Sequence, residues 1–541
     1  MSADVPKGGL APCSRRVMNL AHFLRQSAKR YPNEIAMVWG EQTWTWAQVD
    51  ARVDATAAAL TARGVGKGDR VLVQAKNSNQ FLESMFVCFR LGAVWVPTNF
   101  RLTAEEVAYL ARASGATAMI CGGEFPNHAR TAMEQGIKFV ISIGTSNFGD
   151  DYDALVAASE GRLVPVAEVD RDDPCWFFFT SGTTGRPKAA VLTHGQMGFV
   201  VTNHLCDLMP GTTRRDVSLA VAPLSHGVGI HALAQVARGA KTVLPSGARF
   251  DPEEAWRLIE QWRVTNMFTV PTILKMLTEH PAAEKYDHSS LRYVIYAGAP
   301  MYREDQKRTL AKLGKVLVQY FGLGEVTGNI TVLPTDMHHP EDGPEAKIGT
   351  CGFERTGMQI SIQDESGREL PPGETGEICV CGLAVFAGYY DNPEANAKVF
   401  RDGWFRTGDL GYLDEHGFLY ITGRASDMYI SGGSNVYPRE IEEKLLTHPA
   451  IAEVAIVGVA DKLWGEVGIA VCVLRPDAEL SERELLAWLK PKVARYKLPK
   501  QVFFWDELPR SGYGKVTKKM IRAELEARGY LPSDEKTAAE V

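Results

Sequence analysis

The sequence predicts an α/β protein in which parallel-type sheets flanked by helices precede an antiparallel, barrel-like part and a smaller α+β C-terminal domain. Through the first 170 residues, helix-periodic and strand-like segments alternate, the pattern of parallel sheets covered by helices. From about residue 345 the texture changes to short alternating segments separated by Gly, Pro and Asp. The length of 541 residues exceeds the ~250–300 at which single cores stop growing, so at least two domains are expected.

In chain order, Trp46 to Gly64 has helical apolar spacing and a terminal glycine, and Arg70–Gln74 (RVLVQ) follows as a strand. A helix from about Gln80 to Leu91 leads through Gly92 to the strand AVWVP. CWFFF, YVIYA (Tyr293–Ala297) and VLVQY (Val316–Tyr320) continue the strand series. MQISIQ, GEICVCG and GFLYITG form the antiparallel part. After Gly423-Arg424 come a helix at Pro438–Leu446, the strand AEVAIVGVA, a helix near Ser481–Leu489 and a basic tail, with the domain boundary at Arg424–Asp427.

Composition excludes several classes. Lys+Arg 59 against Asp+Glu 65 leaves a net charge of −6, which argues against extensive nucleic-acid binding. The 9 cysteines are an odd number scattered along the chain and fit reduced thiols, with Cys379 and Cys381 alternating as strand residues do. No apolar run reaches the ~18–20 residues of a membrane span, and no secretory segment opens the chain. The chain reads as soluble and cytoplasmic.

The strongest chemical signal is Thr180-Ser181-Gly182-Thr183-Thr184-Gly185-Arg186-Pro187-Lys188, directly after CWFFF. Its glycines allow close backbone approach, its hydroxyls add donors beside exposed N–H groups, and Lys188 adds a point charge. That chemistry suits a polyphosphate, although the Walker A spacing is absent. By composition alone, a polar surface turn explains the segment equally well.

The order of residues adds more. TSGTTGRPK resembles the signature loop of the adenylate-forming superfamily of acyl-CoA synthetases, peptide-synthetase adenylation domains and luciferases. The resemblance continues through AGAP (Ala297–Pro300), YFGLGE (Tyr320–Glu325), GWFRTGDLG (Gly403–Gly411), GRASDMYISGGSNVYPREIE (Gly423–Glu442) and PRSGYGKVTKK (Pro509–Lys519). It is closest to acyl-CoA synthetases, and covers nearly the whole chain.

The resemblance implies a large domain, residues 1–424, of two flanked sheets plus a small β-barrel, followed by a small mobile domain, residues 425–541. It implies that a carboxylate attacks the α-phosphate of ATP and that a thiol then displaces AMP. Thr180, Ser181, Gly182, Thr183, Thr184 and Lys188 would grip the phosphates, and Glu325 with Thr180 would hold Mg²⁺, a hard cation that takes oxygen ligands. Phe321, where the family usually has Tyr, would stack on adenine, Gly298 with its neighbours Ala299 and Pro300 would form the other wall, and Tyr320 and Gly322 would also belong to the ATP site. Asp409 would accept from the ribose hydroxyls, with Arg424 assisting. Lys515 would be the catalytic lysine, Ser426 the hinge, and Gly432 and Gly433 the lining of a pantetheine tunnel for CoA.

Two positions depart from the family pattern. Gly324 stands where Thr usually precedes the metal-binding Glu, and Thr327 or water is the expected substitute; Ser426 stands where the hinge usually has Lys or Asp. The run Gly322–Gly328 imitates a dinucleotide loop, but its spacing is G-x-G-x-x-x-G.

The resemblance places the acid near Pro223–His231, Tyr296–Pro300 and Gly322–Ile330, with His226 gating or lining the pocket and Gly227, Gly229, Ala232 and Gly298 keeping it roomy. Hydrogen-bonded structural histidines are the alternative reading for both, and for His231 it is the favoured one. No Asp lies in 223–235 to pair an ammonium and no Arg awaits a second carboxylate, so a neutral fatty or aryl acid is expected. The leading expectation is an ATP-dependent acid:CoA ligase; a carrier-protein-loading adenylation enzyme and a non-catalytic nucleotide-binding homologue are the alternatives. A homodimer is a further open expectation.

Overall fold

A computed structural model describes residues 16–180, 186–247, 249–299, 301–343, 345–510 and 516–531. Ser181, Gly182, Thr183, Thr184, Pro300 and Lys515 lie outside the described residues. Two sheets dominate the N-terminal part. A seven-stranded sheet runs in the order Asp150–Asp151, Phe139–Ile143, Ala118–Gly122, Arg70–Gln74, Val94–Pro97, Pro174–Thr180, Lys188–Thr193. It is parallel except at its last pair, where Pro174–Thr180 and Lys188–Thr193 are antiparallel. A nine-stranded sheet has a parallel centre and antiparallel edges. The expected parallel architecture holds in both interiors, where strands covered on both faces are buried along nearly their whole length, as RVLVQ, AMICG and NMFT are.

The helices obey the same local chemistry. Thr45 with Gln48, Thr103 with Glu106, Thr193 with Gln196 and Ser481 with Glu484 each form a capping box that satisfies two otherwise unbonded N–H groups. The helix expected at Trp46–Gly64 spans Trp46–Thr61, and that near Gln80 begins at Asn79, capped by Ser78.

The antiparallel part is a five-stranded sheet of Met358–Gln363, Gly376–Gly382, Phe400–Arg401, Trp404–Leu413 and Leu419–Arg424. Cys379 and Cys381 share one face of the strand Gly376–Gly382, Cys379 buried and Cys381 half-buried towards the strand's end, and the described cysteines are free thiols. Burial pushes the Cys379 thiol up to about 11, the condition of a packing residue rather than a nucleophile. The next sheet begins at Tyr429 and has its own two hydrophobic clusters, one on each face. Among the described residues, no helix is long and apolar enough to cross a membrane.

Four histidines are buried and neutral. Burial pulls His194, His231 and His338 down to about 4 and holds His204 well below its ordinary value. Their unfolded-state value is about 6.5, so between roughly pH 4 and 6.5 the unfolded chain binds more protons. Stability is therefore complete above about pH 6.5 and is lost as the pH falls. Thermal denaturation should show the midpoint falling by roughly 5 °C or more between pH 7 and pH 5; a flat profile would contradict neutral burial.

Candidate active site

The strand Pro174–Thr180 aims the site. Alternation places Trp176, Phe178 and Thr180 on one face. The Trp176 ring meets Trp95 edge-on at 4.5 Å and Phe178 at 5.8 Å, while Phe178 meets the His226 ring at 5.5 Å and 82°. This aromatic column, with each contact contributing about 0.5–1.5 kcal/mol, runs from the core to the site. Thr180 pairs directly with Lys188 across the strands, so residues 181–187 connect neighbouring antiparallel strands.

At the end of that column stands Glu325, on the 3₁₀ turn Gly324–Val326, and it is 5% exposed. Its Oε1 accepts from the Thr180 hydroxyl at 2.7 Å and from the Tyr389 hydroxyl at 2.9 Å. Lys188 Nζ lies 5.1 Å from the Tyr389 ring centroid. Burial, then the Glu325 charge, raises the Tyr389 pKa, so the phenol stays a proton donor. Tyr389 was missed by the sequence reading. Its signal is Tyr-Tyr before Asp391-Asn392-Pro393, where Asn392 caps the helix Pro393–Val399 and Asn396 bonds both backbone groups of Tyr389, at 2.7 and 3.0 Å.

Gly324 has a steric reason. A Cβ there would lie 2.6 Å from the Phe178 ring and 2.8 Å from Thr180 Cγ2. The aromatic ring thus occupies the space a threonine would need. Thr327 is no substitute, because its hydroxyl donates to the Val326 carbonyl at 2.7 Å and accepts from Asn329 Nδ2 at 2.8 Å.

His226 precedes the helix Gly227–Arg238, and its Nδ1 shares a 2.8 Å hydrogen bond with Ser225 Oγ. His231 takes the structural alternative, bonded to His204 at 3.0 Å, Ser218 at 3.0 Å and Asn266 at 2.8 Å. Of the glycines expected to make room, Gly227 abuts Phe268, with a Cβ falling 2.7 Å from that ring. Gly229 serves packing instead, since a Cβ would lie 2.2 Å from the Leu224 carbonyl oxygen.

Tyr320 and Phe321 are consecutive on the strand Leu317–Phe321 and face opposite ways. The Tyr320 ring stacks on Phe268 at 5.7 Å and 24° and leans over Gly328, where a Cβ would approach it to 2.3 Å. Gly322 touches the Gly328 backbone so closely that no side chain fits. Gly298, at φ +82°, and Ala299 are exposed.

Asp409, 5% exposed, pairs across the strands with Arg424, whose Nε lies 3.2 Å from Asp409 Oδ1. Ser426 is exposed in the turn joining the third and fourth sheets, with its hydroxyl 3.3 Å from Asp427 Oδ1. Gly432 and Gly433 form the two-residue turn between Tyr429–Ser431 and Ser434–Val436, at φ +56° and +81°, the conformation that type I′ hairpins demand.

The described structure therefore brings Thr180, Lys188, Glu325 and His226 together around Phe178 and Tyr389. A divalent cation fits this donor set: Glu325 keeps a second carboxylate oxygen beyond the two O–H bonds at Oε1, and Mg²⁺ is commonly held by one carboxylate plus phosphate oxygens.

The model of the AMP-binding enzyme family matches residues 24–390, and that of the AMP-binding enzyme C-terminal domain matches residues 440–515. The chain belongs to this adenylate-forming family. It is 38% identical over 511 residues to a feruloyl-CoA synthase of Amycolatopsis sp, covering 94% of this chain and 99% of that protein. Over 511 residues, with the same coverage, it is 34% identical to a long-chain-fatty-acid–CoA ligase of Mycobacterium tuberculosis. The structure of o-succinylbenzoate CoA synthetase from Bacillus subtilis with its acyl-adenylate superposes with a TM-score of 0.82 at 31% identity, covering 92% of this chain and 97% of that one. The protein is an acyl-CoA synthetase, using ATP and CoA.

Proposed function

We propose that the protein activates an aryl carboxylic acid as its adenylate and passes the acyl group to CoA. The observation that carries the chemistry is the pair of hydrogen bonds from Thr180 and Tyr389 to Glu325, with Lys188 over the Tyr389 ring, where the 181–187 connection begins and ends. In the first step a carboxylate oxygen bonds to the α-phosphorus as the bond to pyrophosphate breaks. In the second the CoA sulfur bonds to the acyl carbon, releasing AMP and a proton. Both steps depend on orienting anions and stabilising spread charge.

Lys188 and Thr180 with Ser181, Gly182, Thr183 and Thr184 bind the phosphates, and Glu325 holds Mg²⁺, which when bound neutralises phosphate charge. Gly298, Ala299, Pro300 and Phe321 bind adenine, Asp409 and Arg424 the ribose. Residues 425–541 pivot at Ser426, presenting first Lys515 and then Gly432 and Gly433 to the cleft. His226, in edge contact with Phe178, borders the acid.

Two features favour an aryl acid. The Phe268 ring packs against Gly227, beside His226, and so puts an aromatic side chain next to the segment proposed to border the acid, and a relative of 38% identity is a feruloyl-CoA synthase. The test is acid-dependent ATP–pyrophosphate exchange with cinnamate-type and palmitate-type acids. Exchange without CoA, thioester plus AMP with it, and preference for the aryl acid are expected. ADP and phosphate as products would overturn the chemistry, and preference for palmitate the choice of acid.

A further inference from the structure

Lys188 opens the strand Lys188–Thr193 and pairs with Thr180, the last described pair of the two strands. Pro187 stands one residue before it, and a proline has no N–H to give to a ladder. Among the described residues, what meets its carbonyl is Tyr109, whose hydroxyl donates to it at 3.0 Å. The guanidinium carbon of Arg186 lies 5.5 Å from the centroid of the same ring, and that of Arg112 lies 5.8 Å away. Residues 186 and 187 are therefore both tied to one side chain, by a cation–π contact and a hydrogen bond.

That side chain is a fixed point. Tyr109 sits on the helix Ala104–Ser114, whose first turn is closed by the Thr103–Glu106 capping box. Val107, Leu110 and Ala111 of this helix are buried in one cluster with Phe177, Phe179 and Ala189 of the two strands, and Tyr109 packs against it. Alternation turns Phe177 and Phe179 away from the face of Trp176, Phe178 and Thr180. Tyr109 thus reaches the chain from the side of the sheet opposite Glu325.

Covalent geometry passes this hold on to Lys188. The peptide group joining Pro187 to Lys188 is planar, and the proline ring fixes the φ before it. Holding the Pro187 carbonyl therefore sets the plane that contains the Lys188 nitrogen and Cα. From that Cα the ammonium reaches over the Tyr389 ring, 5.1 Å from its centroid, beside the hydrogen bond from Tyr389 to Glu325. We propose that Tyr109 is a positioning residue for adenylate formation, holding the Pro187–Lys188 peptide so that the Lys188 ammonium is presented to the phosphates of ATP. It acts through Lys188 and not on the substrate. This rests on the phosphate-binding reading of Lys188 above and adds the group on which that role depends.

The test is a double-mutant cycle. Tyr109→Phe removes the hydroxyl but keeps the ring beneath Arg186 and against the sheet, so the fold is retained. In pyrophosphate exchange it should lower kcat/KM for ATP by at least about threefold, within the range one neutral hydrogen bond is worth. Transfer of a supplied acyl-adenylate to CoA, which involves no polyphosphate, should stay within about twofold of wild type. Lys188→Met should lower exchange by at least about tenfold. Tyr109→Phe/Lys188→Met should then lie within about twofold of Lys188→Met, because the hydroxyl acts through an ammonium no longer present, whereas a merely structural role would add its loss in both backgrounds. Additive losses, equal loss in both half-reactions of Tyr109→Phe, or a smaller effect of Tyr109→Phe than about threefold on exchange overturns the proposal. Unimpaired exchange in Lys188→Met overturns the phosphate reading of Lys188 and the proposal with it, whereas impairment in Lys188→Met without impairment in Tyr109→Phe overturns the proposal alone.

Discussion

Glu325→Gln should lower acid-dependent pyrophosphate exchange by ~100- to 1,000-fold, the range for removing one preorganised charge-stabilising group. The substitution keeps the volume and leaves an oxygen able to accept from Thr180 and Tyr389, whose hydroxyls lie 2.7 and 2.9 Å from Oε1. What it removes is the negative charge, and with it the anionic ligand that a hard divalent cation requires. The effect should separate the two half-reactions. Transfer of a supplied acyl-adenylate to CoA involves no pyrophosphate, so it should fall by less than about tenfold. Exchange in the variant within threefold of wild type would remove Glu325 from the phosphate chemistry. Equal loss in both half-reactions would instead point to collapse of the cleft.

The sequence showed the order of elements because local signals were strong and consistent. Apolar strand runs such as RVLVQ, and helix ends at glycine such as Gly92, act over a few residues. It also placed Glu325 beside Thr180, across 145 positions of chain separation, but only through resemblance. Tyr389 was not legible, because its role arises when the bridge between Ala190 and Tyr389 brings it beside Lys188, a contact without local periodicity. Gly229 was misread for a related reason: a glycine in a helix reads as spare room, whereas here it admits the Leu224 carbonyl. His231 shows the opposite case. Either role was readable from its residue type, and tertiary hydrogen bonds to Ser218 and Asn266 decided it.

Gly324→Thr, which restores the residue usual in the family, should impair this enzyme. Exchange should fall on the order of 10- to 100-fold, corresponding to about 1.4–2.8 kcal/mol and in the range expected for overpacking. The new Cβ would enter within 2.6 Å of Phe178 and 2.8 Å of Thr180. Phe178 cannot retreat freely, since its ring is held between Trp176 and His226. The strain therefore passes to the Thr180–Glu325 hydrogen bond and to the orientation of His226. Gly324→Thr/Phe178→Leu relieves the crowding and should recover most of the lost activity, although Phe178→Leu alone opens a gap beside His226. Rescue in the double variant is what distinguishes coupled positions from independent ones. If the threonine variant is as active as wild type, or the double variant no better than the single, then the glycine does not exist to accommodate the phenylalanine.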